Sequence, residues 1–484
     1  MSRAPKSPPR SSPTRIGQQI PEAVQPGPLN PLLVSLLGLV LPLILCVASW
    51  TQDAASQWPL ALVTACISGT RLALLLGRAK PYLYRFAFYL YTYVFLGLAA
   101  VVQLSSGSFP SVTPFIVTDD IDRAFGVILT GLVLFEMGQW WASQRIQERL
   151  GSDREPLIGT VGASSKRLRP YIVLSLTFSL AFISFVGPQT FLMTRGEVFS
   201  SIGETISSTA AASLVRGFAI GCLLVAFAVG SRALRTQEGR KSRGLLFLVI
   251  SSAILSLFMT NIFNSPRYLA IVVLITLAAG WGLFSSRRKI RLAFAAAIGG
   301  LVLIFPILGT LRNSTSFGSV NTQLQDVFRA GDYDSFAQIV NTVTFVRSEG
   351  VEGGRQLIGA LLVWVPRSFW PDKPESTSKG VAEFMGYSFT NLSSPLWAEF
   401  YIDFGFVGVA LGFAVLGALM TWLDRRTEAA LAFSGAVPAS SMIIPFYCVI
   451  LLRGALLTTI PVLLVVVVCL ALLSRRATTS APRI

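Results

Sequence analysis

Histidine is missing from all 484 residues. Its absence removes the commonest transition-metal ligand and the commonest general base. Any chemistry must therefore fall to carboxylates, arginines, lysines or hydroxyls. Charge is scarce as well, at 13% of residues against about 25% in an ordinary soluble domain. Lipid-facing helix surfaces explain such a deficit, because a charge there costs several kcal/mol. The five cysteines (Cys46, Cys66, Cys222, Cys448 and Cys469) all lie in apolar runs, and none forms a Cys-x-x-Cys pair. They read as small buried hydrophobes. A Walker loop, a dinucleotide fingerprint and a zinc-type cluster are also lacking, so neither ATP nor a cofactor is indicated.

What is present is apolar sequence, 52% of the chain, far more than one soluble core accommodates. Runs long enough to cross a bilayer, roughly 20 residues each, fall at 29–50, 58–77, 83–104, 124–143, 170–191, 212–231, 244–263, 268–285, 292–311, 398–423, 431–452 and 455–473. The predicted fold is all-α, a polytopic bundle of about twelve transmembrane helices. It divides into a disordered cytoplasmic tail at 1–28, helices one to nine over 29–311, a large outer loop at 312–397, helices ten to twelve over 398–473, and a second tail at 474–484. The first apolar run is too long and begins too late for an ordinary signal peptide.

The net charge of +16 would suggest nucleic acid in a soluble protein. Here the basic residues cluster between apolar runs, as in Arg232, Arg235, Arg240, Lys241 and Arg243 or Arg287, Arg288, Lys289 and Arg291. By the positive-inside rule these clusters mark the cytoplasmic face of an inner membrane. Both termini then lie in the cytoplasm, and the acids Asp119, Asp120 and Asp122 lie outside. No nucleic-acid partner is expected.

The loop at 312–397 has nearly balanced charge and is far longer than an ordinary connection. Its apolar spacing from Asn321 to Ser348 predicts two short amphipathic helices broken near Gly331-Asp332. The stretch Leu357–Val365 is apolar but too short to span, and is expected to dip into the interface or pack on the bundle.

Three polar clusters gather on the predicted outer face. One is the turn Asn261–Tyr268 with Asn264 and Arg267. The second is the loop, with Arg312, Arg347, Arg355 and the run Val365-Pro366-Arg367-Ser368-Phe369-Trp370-Pro371-Asp372-Lys373-Pro374. The third is Trp397–Gly405, with Glu399, Tyr401 and Asp403. Arg453 joins them from inside an apolar stretch, where an arginine calls for a cavity or an anionic partner. Each also has a plainer role. Arg367 and Lys373 can anchor the interface beside Trp364 and Trp370. Glu399 and Asp403 share one helix face and can be helix-start acids, and Arg267 can cap a helix end. Arg71 and Glu136 lie within spans, Arg71 near enough to the cytoplasmic end to snorkel. Taken together, the arginines suit a phosphate-bearing headgroup, a carboxylate beside them can take a proton from an attacking hydroxyl, and the aromatics offer flat surfaces to sugar rings.

The elements Pro366–Pro374 and Glu399–Gly408 resemble the outer-loop P-R-x-x-(W/F)-P-x-K-P element and the E-x-Y-x-(N/D)-F-G-x-x-G helix opening of the bacterial O-antigen polymerase (Wzy-type) and oligosaccharide repeat unit polymerase families. The turn Asn264–Tyr268 is similar to the family's S-x-R element, and Leu452-Arg453-Gly454 to a late L-R-G element. Asp403 stands where many relatives carry Asn. The resemblance implies a fold like that of C-type glycosyltransferase-like polymerases and ligases. It implies a metal-independent, inverting glycosyl transfer that builds O-antigen, capsule or exopolysaccharide. The growing glycan would move from polyprenyl (undecaprenyl) pyrophosphate onto a new lipid-linked repeat unit, with membrane lipid and a chain-length regulator protein as further partners. The expected functional arginines map to Arg267 and Arg367, and Glu399 is nominated as base. Arg312, Arg347, Arg355, Lys373, Asp403, Arg453, Trp370 and Tyr401 are the expected substrate-binding residues. Rival readings are a lipid-linked oligosaccharide flippase, which would be expected to show internal repeats, an O-antigen ligase, which would be expected to use an outer-loop histidine, and a non-catalytic membrane scaffold.

Overall fold

The computed structural model describes residues 29–110, 113–151, 165–193, 209–261, 265–304 and 327–474. In chain order the main helices are α1 (Pro31–Ser49), α2 (Trp58–Arg78), α3 (Leu83–Ser105), α4 (Ile121–Gly151), α5 (Ser165–Val186), α6 (Thr209–Ala233), α7 (Arg243–Met259), α8 (Arg267–Gly280), α9 (Arg287–Gly299), α10 (Ser335–Glu349), α11 (Arg355–Leu361), α12 (Thr377–Phe384), α13 (Leu396–Ser434), α14 (Ala439–Arg453) and α15 (Leu456–Leu473). Seven of these are long and apolar enough to cross a membrane: α1, α2, α3, α5, α6, α13 and α15. Three shorter apolar helices, α7, α8 and α14, join them. The architecture is that of an all-helical membrane protein. Helical structure falls in each of the twelve sequence intervals. Both predicted tails lie outside the described residues.

Helix α3 is the axis of the bundle. Every residue from Leu83 to Ser105 is buried, because its sequence is mostly apolar or aromatic on every side and its polar members find internal partners, Arg85 in Asp424 and Gln103 in the carbonyls of Phe328 and Tyr333. The Phe88 ring stacks on Phe135 of α4, and on its other neighbours Trp397 and Phe413 of α13 the centroids lie 5.6 and 6.1 Å away. A π-helical stretch at Thr92–Leu98 interrupts α3 beside the aromatic cluster, the kind of local irregularity common near functional sites. Helices α4 and α13 approach closely through glycines: a Cβ at Gly138 would meet the Ala414 carbonyl, and one at Gly417 the Phe135 carbonyl. Such small-residue contacts replace the hydrophobic driving force that lipid removes.

On the exposed face of α2, Arg71 does not stand alone. Its Nε and Nη2 donate to the two carboxylate oxygens of Glu136, at 2.6 and 2.7 Å, and the Tyr89 hydroxyl donates to the same carboxylate at 2.6 Å. The fork-to-fork pair sets the two charges against each other, with 45% of the Arg71 side-chain surface still exposed.

Helix α13 is not the single rod that the sequence predicts. Thirty-nine residues in a straight helix would run about 58 Å, nearly twice the hydrocarbon thickness. The helix breaks at Phe404 (φ −140°, ψ 15°) and Gly405 (φ 58°, ψ −146°). The positive φ is a conformation that a residue with a Cβ rarely adopts. The segment before the break folds back on the segment after it. The rings of Trp397 and Phe413 lie 4.2 Å apart, whereas a continuous helix would separate them by about 24 Å. A Cβ at Gly408 would meet the Phe400 carbonyl. Leu396–Asp403 is therefore a short re-entrant arm, and the indole Nε1 of Trp397 donates to the Ile128 carbonyl (3.1 Å) well down α4.

The described part of the loop is also more deeply set than two surface amphipathic helices. Ser335 through Thr344 of α10 are buried on every face, polar residues included, because α10 packs between α3, α4 and the re-entrant arm. Of the helix expected on its other side only Val327 and Phe328 are described, and Leu324 lies outside the described residues. Helix α11 packs on the start of α15, with Gly359 against Pro374 and Leu457.

Candidate functional site

Arg267 of the first cluster and Arg453 meet on one short turn. Arg267 is the first residue of α8, and Arg453 the last of α14. Between α10 and the chain before it, Gly331–Tyr333 forms a single 3-10 turn. Arg267 Nη1 donates to Asp332 Oδ2 at 3.2 Å. Arg453 Nη2 donates to Asp334 Oδ1 at 3.0 Å and to the Asp332 carbonyl at 3.2 Å. The other oxygen of Asp334 accepts from the Ser393 N–H at 3.0 Å. The Arg453 guanidinium also lies 5.2 Å from the Tyr268 ring centroid, a cation–π contact in a water-poor setting. Its Nε is buried with no acceptor.

Asp334 is almost fully buried, while Asp332 keeps 39% of its side-chain surface exposed. The first is thus a fixed counter-ion and the second an exchangeable one. The turn is held from below by Gln103 of α3, whose Nε2 donates to the carbonyls of Phe328 and Tyr333 at 2.9 and 3.0 Å. Tyr333 stacks on Phe95 with centroids 5.4 Å apart.

Glu399 stands beside this turn, on the re-entrant arm. Its side chain is buried to 1% exposure, not set at the surface of a helix start. The Ser394 hydroxyl donates to Glu399 Oε1 at 2.5 Å, and the Ser394 N–H donates to the Arg453 carbonyl at 2.8 Å. The Thr377 hydroxyl and the Leu456 N–H lie against the same carboxylate. One residue, Ser394, therefore connects the arginine turn to the buried acid.

The remaining predicted residues form a second group in the loop. Arg355 Nη2 donates to the Asp372 carbonyl (2.6 Å). Arg367 donates to the carbonyls of Lys373 and Pro374 (2.7 and 3.2 Å), and Lys373 Nζ to those of Val363 and Val365 (2.7 and 3.0 Å). These bonds tie the Pro366–Pro374 turn to itself, with Trp370 contributing its backbone N–H to Pro366. Asp403 caps the start of α11, accepting from the N–H groups of Gln356 (2.9 Å) and Leu357 (2.8 Å). Tyr401 is buried, edge-on to Phe406. Arg347 is drawn away to Asp120 (3.1 Å), whose other oxygen accepts from Thr344. Arg312 and Asn264 lie outside the described residues.

A cleft of about 440 Å³ opens between the end of α10, the Gly350–Gly354 loop, the start of α11 and the 372–377 turn. Glu352 lines it, and burial pushes its carboxyl above the ordinary value of 4.5. The Gln356 side-chain amide donates to Glu352 Oε2 at 2.9 Å. The sequence reading missed Asp332, Asp334 and Ser394. The signal for the two acids was available, since a lone arginine in an apolar stretch requires a carboxylate and Gly331-Asp332-Tyr333-Asp334 offers two. No family model, curated protein or solved structure matches the chain.

Proposed function

We propose that the protein is an integral-membrane polysaccharide polymerase that joins polyprenyl-pyrophosphate-linked oligosaccharide repeat units on the outer side of the bacterial inner membrane. In this reading it has about twelve spans, both tails in the cytoplasm, and 312–397 outside. The observation that carries the reading is the convergence of Arg267 and Arg453, from the ends of two apolar helices, on the Asp332–Asp334 turn beside the buried Glu399. Guanidinium forks match phosphate oxygens. The half-exposed Asp332 can yield Arg267 to an incoming pyrophosphate, and the buried Arg453 Nε–H is left over as a donor.

The step is a displacement at the anomeric carbon of the donor sugar. An acceptor hydroxyl attacks, the bond from that carbon to the pyrophosphate oxygen breaks, and inversion follows from attack on the opposite face. The hydroxyl proton passes to the Glu399 carboxylate, and the pyrophosphate leaves with its charge held by the arginines. Loss of one such electrostatic donor costs about 2.7–4 kcal/mol of barrier. The test is deletion of the gene, followed by analysis of surface-glycan length and complementation with Arg267→Ala and Arg453→Ala. The reading expects single repeat units in all three backgrounds, with variant protein present in the membrane. Full-length polymer in the deletion strain would overturn it.

A further inference from the structure

The arginine turn can account for a pyrophosphate, but nothing in it selects a sugar. The cleft beside it has a different chemistry. Its lining carries four carboxylates (Glu349, Glu352, Asp372 and Glu375) against two cations, Arg355 and Lys373; Glu375 pairs with Lys379 just outside the lining (2.5 Å), and the Lys373 ammonium is spent on the Val363 and Val365 carbonyls. One buried polar atom on the lining has no partner. Gln356 is 6% exposed, and because its amide nitrogen already serves Glu352, its carbonyl oxygen is left without a donor. A buried acceptor without a donor carries a penalty of about 1–3 kcal/mol, which a ligand hydroxyl or amine would relieve. The half-buried Phe345 adds a flat apolar wall. Among the described residues no group of acids is arranged to hold a metal ion, so the carboxylates do not form a cation cage.

We infer that this cleft is a sugar-binding subsite that takes hydroxyl-rich neutral or amino sugars and disfavours acidic ones. The hydroxyls and any ammonium of such a ring supply the donor that the Gln356 carbonyl lacks, and its C–H face lies against Phe345. A uronic acid would bring a further negative charge to a lining in which acids outnumber bases, and like charge discriminates against a wrong ligand. Thr377 touches both the cleft and Glu399, so a ring seated here would present an outward hydroxyl toward the buried acid. The assignment rests on the polymerase reading in taking this ring to be the terminal sugar of the acceptor.

The test is a binding measurement, independent of polymerisation. The full-length protein in lipid nanodiscs is titrated with the methyl glycosides of glucose, glucosamine and glucuronic acid, read by saturation-transfer NMR. The glucosaminide and glucoside are expected to bind saturably, with the glucuronide weaker by about tenfold or more, a factor equivalent to about 1.4 kcal/mol. Gln356→Leu should weaken both favoured ligands. Since Gln356 is buried, the exposed pair Glu349→Lys and Glu375→Lys provides a fold-safe second variant, in which the preference against the glucuronide should shrink or invert. The inference is overturned if no glycoside binds, if the glucuronide binds as well as the others, or if the folded double variant keeps the wild-type order and strength. Sugar binding together with full-length polymer in the deletion strain would leave the cleft standing and remove the polymerase reading. Loss of polymer on deletion, with no sugar bound by the protein, would do the reverse.

Discussion

Replacing Asp334 by Asn, Arg453 by Met, and both together separates what the pair does for the fold from what Arg453 does for a substrate. Asp334 is nearly fully buried, and Arg453 keeps 20% of its side-chain surface. Removing one member of a buried ion pair leaves an uncompensated charge and costs about 3–5 kcal/mol; the residual exposure of Arg453 puts each single change near the lower end, about 3 kcal/mol. Asn at 334 can still accept from the Ser393 N–H, so the double change, with no charge left to strand, should cost only about 1–2 kcal/mol, far below the sum of the singles. Thermal unfolding of the purified protein in one detergent measures all four forms, and surface-glycan length in the deletion strain measures their function. The expected pattern is a double variant that is nearly as stable as wild type yet makes no polymer. Additive losses of stability would refute the coupling read from the 3.0 Å contact. A stable double variant with normal polymer would assign Arg453 to the fold alone.

Three further outcomes follow from the loop geometry. Asp403→Ala removes the acceptor for two N–H groups at the start of α11 and should cost about 0.5–2 kcal/mol, seen as faster proteolysis within 350–375, with Asp403→Asn close to wild type. Arg367→Ala frees the carbonyls of Lys373 and Pro374; polymer should be lost with protein level intact, and lysine should rescue poorly because a point charge cannot span both acceptors. Glu352 holds its proton above the ordinary value of 4.5 because of burial, so the folded state binds more protons than the unfolded one. Its contribution to stability is then fullest below pH 4.5 and is lost as pH rises through the raised value. Glu352→Gln should flatten that part of the melting-temperature profile, and an unchanged slope would contradict the assignment.

The sequence made the helices legible and left the contacts between them dark. Apolar runs of about 20 residues locate α1 to α9 because lipid imposes a length and a polarity on each. The same logic misreads α13. The run from Ala398 to Leu423 is apolar apart from Glu399 and Asp403, and hydropathy has no term for a backbone that reverses at Gly405. The only local trace of the break is the Phe404-Gly405 dipeptide. That reversal is what takes Glu399 from an interfacial helix start to a fully buried position. Arg453 was legible as an arginine in an apolar stretch and Arg267 as part of a polar turn, but their common anchor was not, because Asp332 and Asp334 sit in a loop whose charges balance and so carry no topological signal. Arg347 and Asp403 read as ligand groups from their location; the structure gives them protein partners, Asp120 and the α11 N-terminus.

The most direct test of the central claim is reconstitution. The purified protein in liposomes is given a polyprenyl-pyrophosphate-linked oligosaccharide repeat unit as sole substrate, with EDTA present, and the products are resolved by gel electrophoresis and mass spectrometry. The account predicts a ladder of lipid-linked polymers spaced by one repeat unit, with release of polyprenyl pyrophosphate, and no ladder from Arg267→Ala or Arg453→Met. An unchanged substrate in the inner leaflet that reappears intact in the outer leaflet would identify a flippase instead. A ladder that collapses under EDTA and returns with a divalent ion would contradict the metal-free displacement.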